Sequence, residues 1–113
     1  MDELYHFDLY QGNAEDTAVY PNKGDNLYYP ALGLAGEAGE VCEKIKKIYR
    51  DKKGILSVDD KEELTKELGD VLWYVATLAS EIDIYLSEVA EMNLNKLESR
   101  MKRGVIKGSG DNR

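Results

Sequence analysis

The chain has 113 residues, of which 42% are hydrophobic, and carries a net charge of −7 at pH 7 with a pI near 4.7. The length fits one domain with one core, and the acidity argues against a nucleic-acid binder, which needs a basic face. One cysteine and one histidine exclude an internal disulfide and any single-chain zinc site built from two or more His or Cys.

No apolar run reaches the roughly 18 residues of a membrane span, and the start Met1-Asp2-Glu3 lacks a basic leader region. The expectation is a soluble cytoplasmic protein with neither membrane nor nucleic acid as partner.

The first predicted element is a helix from about Asp2 to Val19. Leu4, Phe7, Tyr10, Ala14 and Ala18 recur at spacings of three and four, while Gly12 and Asn13 weaken it. The segment Tyr20-Pro21-Asn22-Lys23-Gly24-Asp25-Asn26 reads as a loop from its turn residues. A second helix is predicted over Ala31–Tyr49, with Leu34, Ala35, Ala38, Val41, Cys42, Ile45, Ile48 and Tyr49 on one stripe. In that setting Cys42 is expected as an ordinary buried thiol.

Asp51-Lys52-Lys53-Gly54 breaks the pattern. Ser57 then stands as an N-cap with acids in the turn after it, opening a third helix that runs to about Glu81. Its stripe is Leu64, Leu68, Val71, Leu72, Val75, Leu78 and Ala79. A break at Ile82-Asp83-Ile84 precedes a fourth helix over Leu86–Lys102, with Leu86, Ala90, Leu94, Leu97 and Met101 inward. The whole chain, residues 1–113, reads as a single all-α domain, an antiparallel bundle of about four helices. A flexible tail is expected from about 104 to 113.

The second helix carries Glu37-Ala38-Gly39-Glu40 and the third carries Glu67-Leu68-Gly69-Asp70. Acids three apart share a helical face and repel. The pairs Glu40/Glu67 and Glu37/Asp70 have one common midpoint, between Lys53 and Gly54, where the helices break. An antiparallel hairpin folded there brings all four carboxylates together. With Ala38 and Leu68 taken as the centres of the two apolar stripes, the motifs sit at equal angular offsets. Gly39 and Gly69 hold the same place in each motif. Glycine inside a helix costs roughly 1 kcal/mol against alanine, which points to close packing at both, by backbone or by ligand.

Four converging carboxylates cannot all stay ionised without a partner. A hard divalent cation, Mg²⁺ or Mn²⁺, suits oxygen ligands and would also bridge an acidic protein to phosphate. The alternative is that these acids form an ordinary solvated face. Tyr74, one turn after Asp70, is a candidate base contact. Trp73 beside it fits a core or interface aromatic better. Asn93, Lys96 and Arg100 form a polar stripe on the fourth helix that suits phosphate oxygens, or simply faces water. Lys44 is expected to pair with Glu40 across four residues, and Lys47 to reach a phosphate.

These residues resemble a known family. Leu32-Gly33-Leu34-Ala35-Gly36-Glu37-Ala38-Gly39-Glu40-Val41, then Lys66-Glu67-Leu68-Gly69-Asp70-Val71-Leu72-Trp73-Tyr74, then Asn93-Leu94-Asn95-Lys96-Leu97 are similar to the three motifs of the MazG-like all-α nucleoside triphosphate pyrophosphohydrolases. The similarity runs over about residues 7 to 113 and includes the Tyr20-Pro21 loop and the Gly-Ser-Gly-Asp-Asn-Arg tail.

The resemblance implies a helical bundle completed by homo-oligomerisation, as a dimer or tetramer. It implies hydrolysis of an NTP or dNTP to the monophosphate and pyrophosphate. Glu37, Glu40, Glu67 and Asp70 would carry one to three Mg²⁺ ions, and activated water would attack the α-phosphorus. Glu40 is the candidate base. Asn93 and Lys96 would bind the nucleotide, and Tyr74 would contact base or sugar; Lys47 and Arg100 are candidates for phosphate contact from the charge pattern alone. One departure is Gly36, where many members carry an extra acid. It bears on metal number and efficiency.

Two rivals are weighed against this reading. A di-iron carboxylate bundle needs Glu-x-x-His pairs, and here the third residue after each Glu is an acid. A non-catalytic acidic interaction or regulatory protein would bind no divalent cation through these carboxylates.

Overall fold

A computed structural model describes residues 5–113. Among them are four helices and no strand: α1 (Tyr5–Asp16), α2 (Tyr28–Lys52), α3 (Val58–Glu81) and α4 (Leu86–Lys102). The expected helix start at Asp2 and the inward position of Leu4 lie outside the described residues.

α1 ends before Val19, because Thr17 and Ala18 close tight turns onto the carbonyls of Ala14 and Glu15. α2 starts three residues before the expected Ala31. Pro30 sits in its first turn, where a missing N–H costs nothing. The Asn26 carboxamide oxygen accepts from the Tyr29 N–H at 3.0 Å and does the capping that Leu27 cannot. α2 stops at a left-handed Lys53, followed by Gly54 at φ 75°. α3 begins at Ser57 with a complete capping box: the hydroxyl accepts from the Asp60 N–H at 3.1 Å, and the Asp60 carboxylate accepts from the Ser57 N–H at 3.0 Å.

α3 is the central element, paired along α2 and crossed by α1 and α4 near its C-terminal end, while α2 and α4 do not touch. The core sits at that end. Ala14, Ala76 and Leu86 are buried together, with Tyr10, Trp73 and Val75 packed around them. A polar knot ties the same place. The buried Gln11 amide donates to Ile84 O (2.9 Å) and Ser80 Oγ (3.1 Å) and accepts from Leu86 N–H (2.8 Å). Asp8 accepts from the backbone and hydroxyl of Ser87 at 2.9 and 2.7 Å.

Elsewhere the chain is open. Its accessible surface of 8390 Å² exceeds the roughly 6300 Å² expected of a compact protein of this mass. Its radius of gyration is 16.8 Å against about 13 Å expected. Several residues read as inward are exposed: Phe7 on α1, Ala35, Ala38, Cys42, Ile45 and Tyr49 on α2, Leu68 and Leu72 on α3, and Leu94, Leu97 and Met101 on α4. Cys42 is therefore not the buried thiol that its apolar neighbours suggested. The half-buried positions Leu34 and Val41 with buried Ile48 on α2, and Leu64, Val71 and Val75 on α3, mark the faces these helices cover within one chain.

The tail, expected to be flexible, is drawn back over α4 by a set of arginine contacts. Arg113 donates to Val105 O, Ile106 O and Gly110 O, and Arg103 donates to the carbonyl of Arg113. No helix among the described residues is long and apolar enough to cross a membrane.

Candidate metal and nucleotide site

The hairpin brings three of the four motif acids together. Glu37, Glu67 and Asp70 each offer a carboxylate oxygen, all within 4.8 Å of one another. The covered seam explains the arrangement better than the stripe centres Ala38 and Leu68, both of which are exposed. Glu37 lies four residues before Val41, and Glu67 four before Val71. At about 100° per residue, each is about 40° from its seam residue. Both are half-buried at the edge of the seam, while Asp70 and Glu40 lie farther round and are exposed.

Glu40 is outside the three-acid group, yet its charge is felt by Glu37. The Glu37 carboxyl is pushed above the ordinary glutamate range by partial burial first, then by the charges of Asp70, Glu67 and Glu40. Like charges held this close favour a bound cation. The distances suit one after a small adjustment, because oxygens opposite each other around Mg²⁺ are about 4.2 Å apart. The donor set is all carboxylate oxygen, the chemistry of a hard divalent ion rather than of zinc. The chain's own counter-charge here is Lys44, whose ammonium lies 3.7 Å from Glu63 and 3.9 Å from Glu67. It does not take the expected pairing with Glu40.

Aromatics form the next layer. The Tyr74 ring meets Trp73 edge-on at 4.9 Å between centroids and tilts against Tyr29 at 6.4 Å. Tyr29 in turn stacks on Tyr20 at 4.7 Å. The Tyr74 phenol is raised by burial first, then by Tyr29 and by the charges of Glu37 and Asp70. Trp73 donates its indole N–H to Thr17 Oγ1 at 2.8 Å and packs at the core edge, as its core reading expected.

A Cβ on Gly33 would collide with the Tyr74 ring, so close approach demands a glycine there. At Gly36, Gly39 and Gly69 a Cβ meets nothing within 4 Å. The close packing expected at Gly39 and Gly69 is thus absent within one chain. The acid missing at Gly36 is not kept out by crowding.

Sequence reasoning missed Tyr10, read only as an inward α1 residue. Its phenol is raised by burial first and by the Asp70 charge second. Its helical spacing carried no signal beyond core. Also missed was Glu81, whose carboxylate closes the Tyr20 loop by accepting from the Tyr20 hydroxyl and from the backbone N–H groups of Gly24 (2.9 Å) and Asn26 (3.2 Å).

The basic residues lie apart from the acids. Lys47 is exposed, 3.9 Å from Glu43, at the wall of a cavity of about 200 Å³ near the hairpin's turn. Asn93 is exposed on α4. Lys96 and the buried Arg100 are engaged by the tail through Asp111. α4 meets α3 but not α2, and among the described residues no hydrogen bond or ion pair joins Asn93, Lys96 or Arg100 to the four acids within one chain.

Comparison with known proteins bears on the same segments. The model of the MazG nucleotide pyrophosphohydrolase domain matches residues 30–105, which contain both acid motifs and the whole of α4. The chain is 55% identical over 113 residues to the Gene 37 protein of Mycobacterium phage L5, an alignment covering 96% of this chain and 99% of that protein. It is 33% identical over 69 residues to the uncharacterized protein YpjD of Bacillus subtilis strain 168, covering 61% of each. No solved structure matches the chain.

Proposed function

The chain belongs to the MazG nucleotide pyrophosphohydrolase family, and from that premise we propose that it hydrolyses nucleoside or deoxynucleoside triphosphates to the monophosphate and pyrophosphate. The observation that carries the reading is the meeting of Glu37, Glu67 and Asp70 at one edge of the α2–α3 seam. These three hold Mg²⁺, with Mn²⁺ as the substitute. A bound divalent cation supplies the positive charge that lets an acidic chain accept a triphosphate, and it acidifies water for attack.

The protein's own groups do the rest. Glu40, exposed one turn along α2 from Glu37, takes the proton of the attacking water. Lys96 and Arg100 meet phosphate oxygens, with Asn93 as a hydrogen-bonding partner and Lys47 at the periphery. Tyr74 lies against the base or sugar. Attack at the α-phosphorus follows from family membership. The same acids cannot repel a phosphate and hold it, so activity without a divalent cation is not expected.

The working form is a homodimer or homotetramer. The excess surface and the apolar residues left open along α2, α3 and α4 support this, notably Tyr28 at 80% and Leu32 at 72% exposure. Assembly also supplies a way for α4 of one copy to reach the acids of another. Two single-site variants, Asp70→Asn and Lys96→Gln, test that arrangement when mixed. Recovery of turnover above either variant alone is expected, and strict absence of recovery rejects sharing between copies.

The primary test is a panel of NTPs and dNTPs with Mg²⁺, following monophosphate and pyrophosphate. Release of inorganic phosphate instead of pyrophosphate would overturn the reaction. Equal turnover in Glu67→Gln and Asp70→Asn would remove the acids from it.

A further inference from the structure

The basic end of the chain has an internal partner. Residues 96–113 hold six of the chain's 15 Lys and Arg but two of its 22 acids. One of those two acids, Asp111, is placed against them. Beyond α4 the chain turns at Gly104 (φ 70°) and returns through Gly110 (φ 87°). Asp111 Oδ1 then lies 3.2 Å from Lys96 Nζ and 3.4 Å from Arg100 Nη2. The same Arg100 nitrogen donates to Asp111 O at 2.8 Å and Gly110 O at 3.3 Å. One carboxylate oxygen is shared by two cations a turn apart on α4, as a phosphate oxygen would be.

The two sides of this contact are unequal. Arg100 is built in, with 4% of the residue exposed, while the Asp111 side chain is 83% exposed. Every hydrogen bond of the guanidinium goes to the tail, yet its Nε is buried with no acceptor. A buried donor left unpaired is unfavourable by about 1–3 kcal/mol in general, so the resting contact does not use all that Arg100 offers. The tail also has a fastening of its own: Arg113 holds it to Val105, Ile106 and Gly110, sharing the Gly110 carbonyl with Arg100.

We propose that Asp111 is a displaceable counter-ion: the tail is a strap that occupies the Lys96–Arg100 anion site, and a polyphosphate, carried by substrate or as free pyrophosphate, displaces the Asp111 carboxylate from it. A phosphate group brings more charge and more acceptor oxygens than one carboxylate, and the orphan Nε–H is available to it once the strap lifts. The Lys96–Asp111 pair is exposed and contributes little, so the strap lowers affinity without closing the site. This regulation rests on the reading that Lys96 and Arg100 contact substrate phosphates.

The test is titration of inorganic pyrophosphate by calorimetry, with EDTA present so that the carboxylates take no part. Asp111→Asn is expected to tighten binding by about two- to five-fold, the range set by an exposed ion pair. Arg113→Gln, which loosens the strap without touching either cation, is expected to shift binding in the same direction. Lys96→Gln is expected to weaken it. In the unmodified protein, backbone amides of residues 105–113 are expected to exchange faster with pyrophosphate bound. Weaker binding in Asp111→Asn would make the tail a support for the cations and overturn the strap. So would unchanged binding in both tail variants, or no pyrophosphate binding in any form. Failure of the nucleotide panel with this series intact would reject the proposed reaction alone. Normal turnover with unmoved pyrophosphate affinity would reject the strap alone.

Discussion

The two ends of α3 are held by opposite means. At the C-terminal end Ala76, Thr77 and Ala79 are buried, Gln11 satisfies backbone groups around the turn into α4, and Glu81 closes a loop with three donors. Toward the other end Val58 is 82% and Leu68 56% exposed, and the charges gathered there are mostly of one sign. One end is tied by many partners from its own chain, though the Thr77 hydroxyl is buried without one. The other gathers carboxylates around the Lys44 ammonium and leaves apolar surface open. Folding free energy is concentrated at the first, and the capacity to bind something else at the second.

The sharpest way to separate the two ends is to neutralise an acid. Asp70→Asn should lower turnover by about 10³-fold, equivalent to about 4 kcal/mol of transition-state stabilisation. It should leave the urea midpoint unchanged or slightly higher, because a repulsion is removed. A matching loss of stability would place Asp70 in the fold rather than the chemistry. The converse variant is Gln11→Ala, which strands the Leu86 N–H and the Ile84 carbonyl. We expect a loss of about 3 kcal/mol in urea denaturation with unchanged m, and Mg²⁺ affinity that is retained wherever the protein remains folded.

Glycines give a smaller, more local contrast. Gly33→Ala should destabilise by about 1–2 kcal/mol, since overpacking against the Tyr74 ring outweighs the helix-propensity gain. Gly69→Ala meets open space within the chain and should gain up to about 1 kcal/mol. A loss there, joined to a fall in assembly mass by light scattering, would show that a second copy covers this face.

The smallest effect concerns the start of α3. The Lys52 ammonium, followed by the Ser57 backbone and hydroxyl, pulls the Asp60 carboxyl down to about 2. A depressed carboxyl contributes stability in full above its unfolded value of about 3.9 and loses it as pH falls through the folded value. The stability gap between the protein and Asp60→Ala should therefore narrow between about pH 4 and pH 2. A constant gap would assign it to something other than the ionised box.

Much of this was readable in advance because it is local. Ser57 and Asp60 are a cap by spacing alone, and the break at Gly54 with a shared midpoint was enough to set Glu37 against Asp70, while Glu40, which the same midpoint set against Glu67, stays outside the three-acid group. The faces of α2 and α3 were less legible. Their apolar stripes are wide enough to serve two surfaces, and periodicity counts apolar residues without saying which neighbour covers them. Centring on Ala38 and Leu68 therefore chose exposed residues, while Val41 and Val71 mark the covered seam. The matched glycines misled for the same reason. Gln11 was illegible because its role depends on carbonyls more than sixty residues away. Arg100 was read as part of a stripe facing either phosphate or water, but it is buried against a tail whose composition suggested mobility.

Trp73 is the chain's single tryptophan. Its indole is anchored to Thr17 on the closed side and meets the edge of Tyr74 on the side of the acids. The molecule thus carries its own fluorophore at the border between its inert and responsive halves. A cation drawing Glu37, Glu67 and Asp70 together, or a base sliding against Tyr74, would register as a change in native emission, with no label attached.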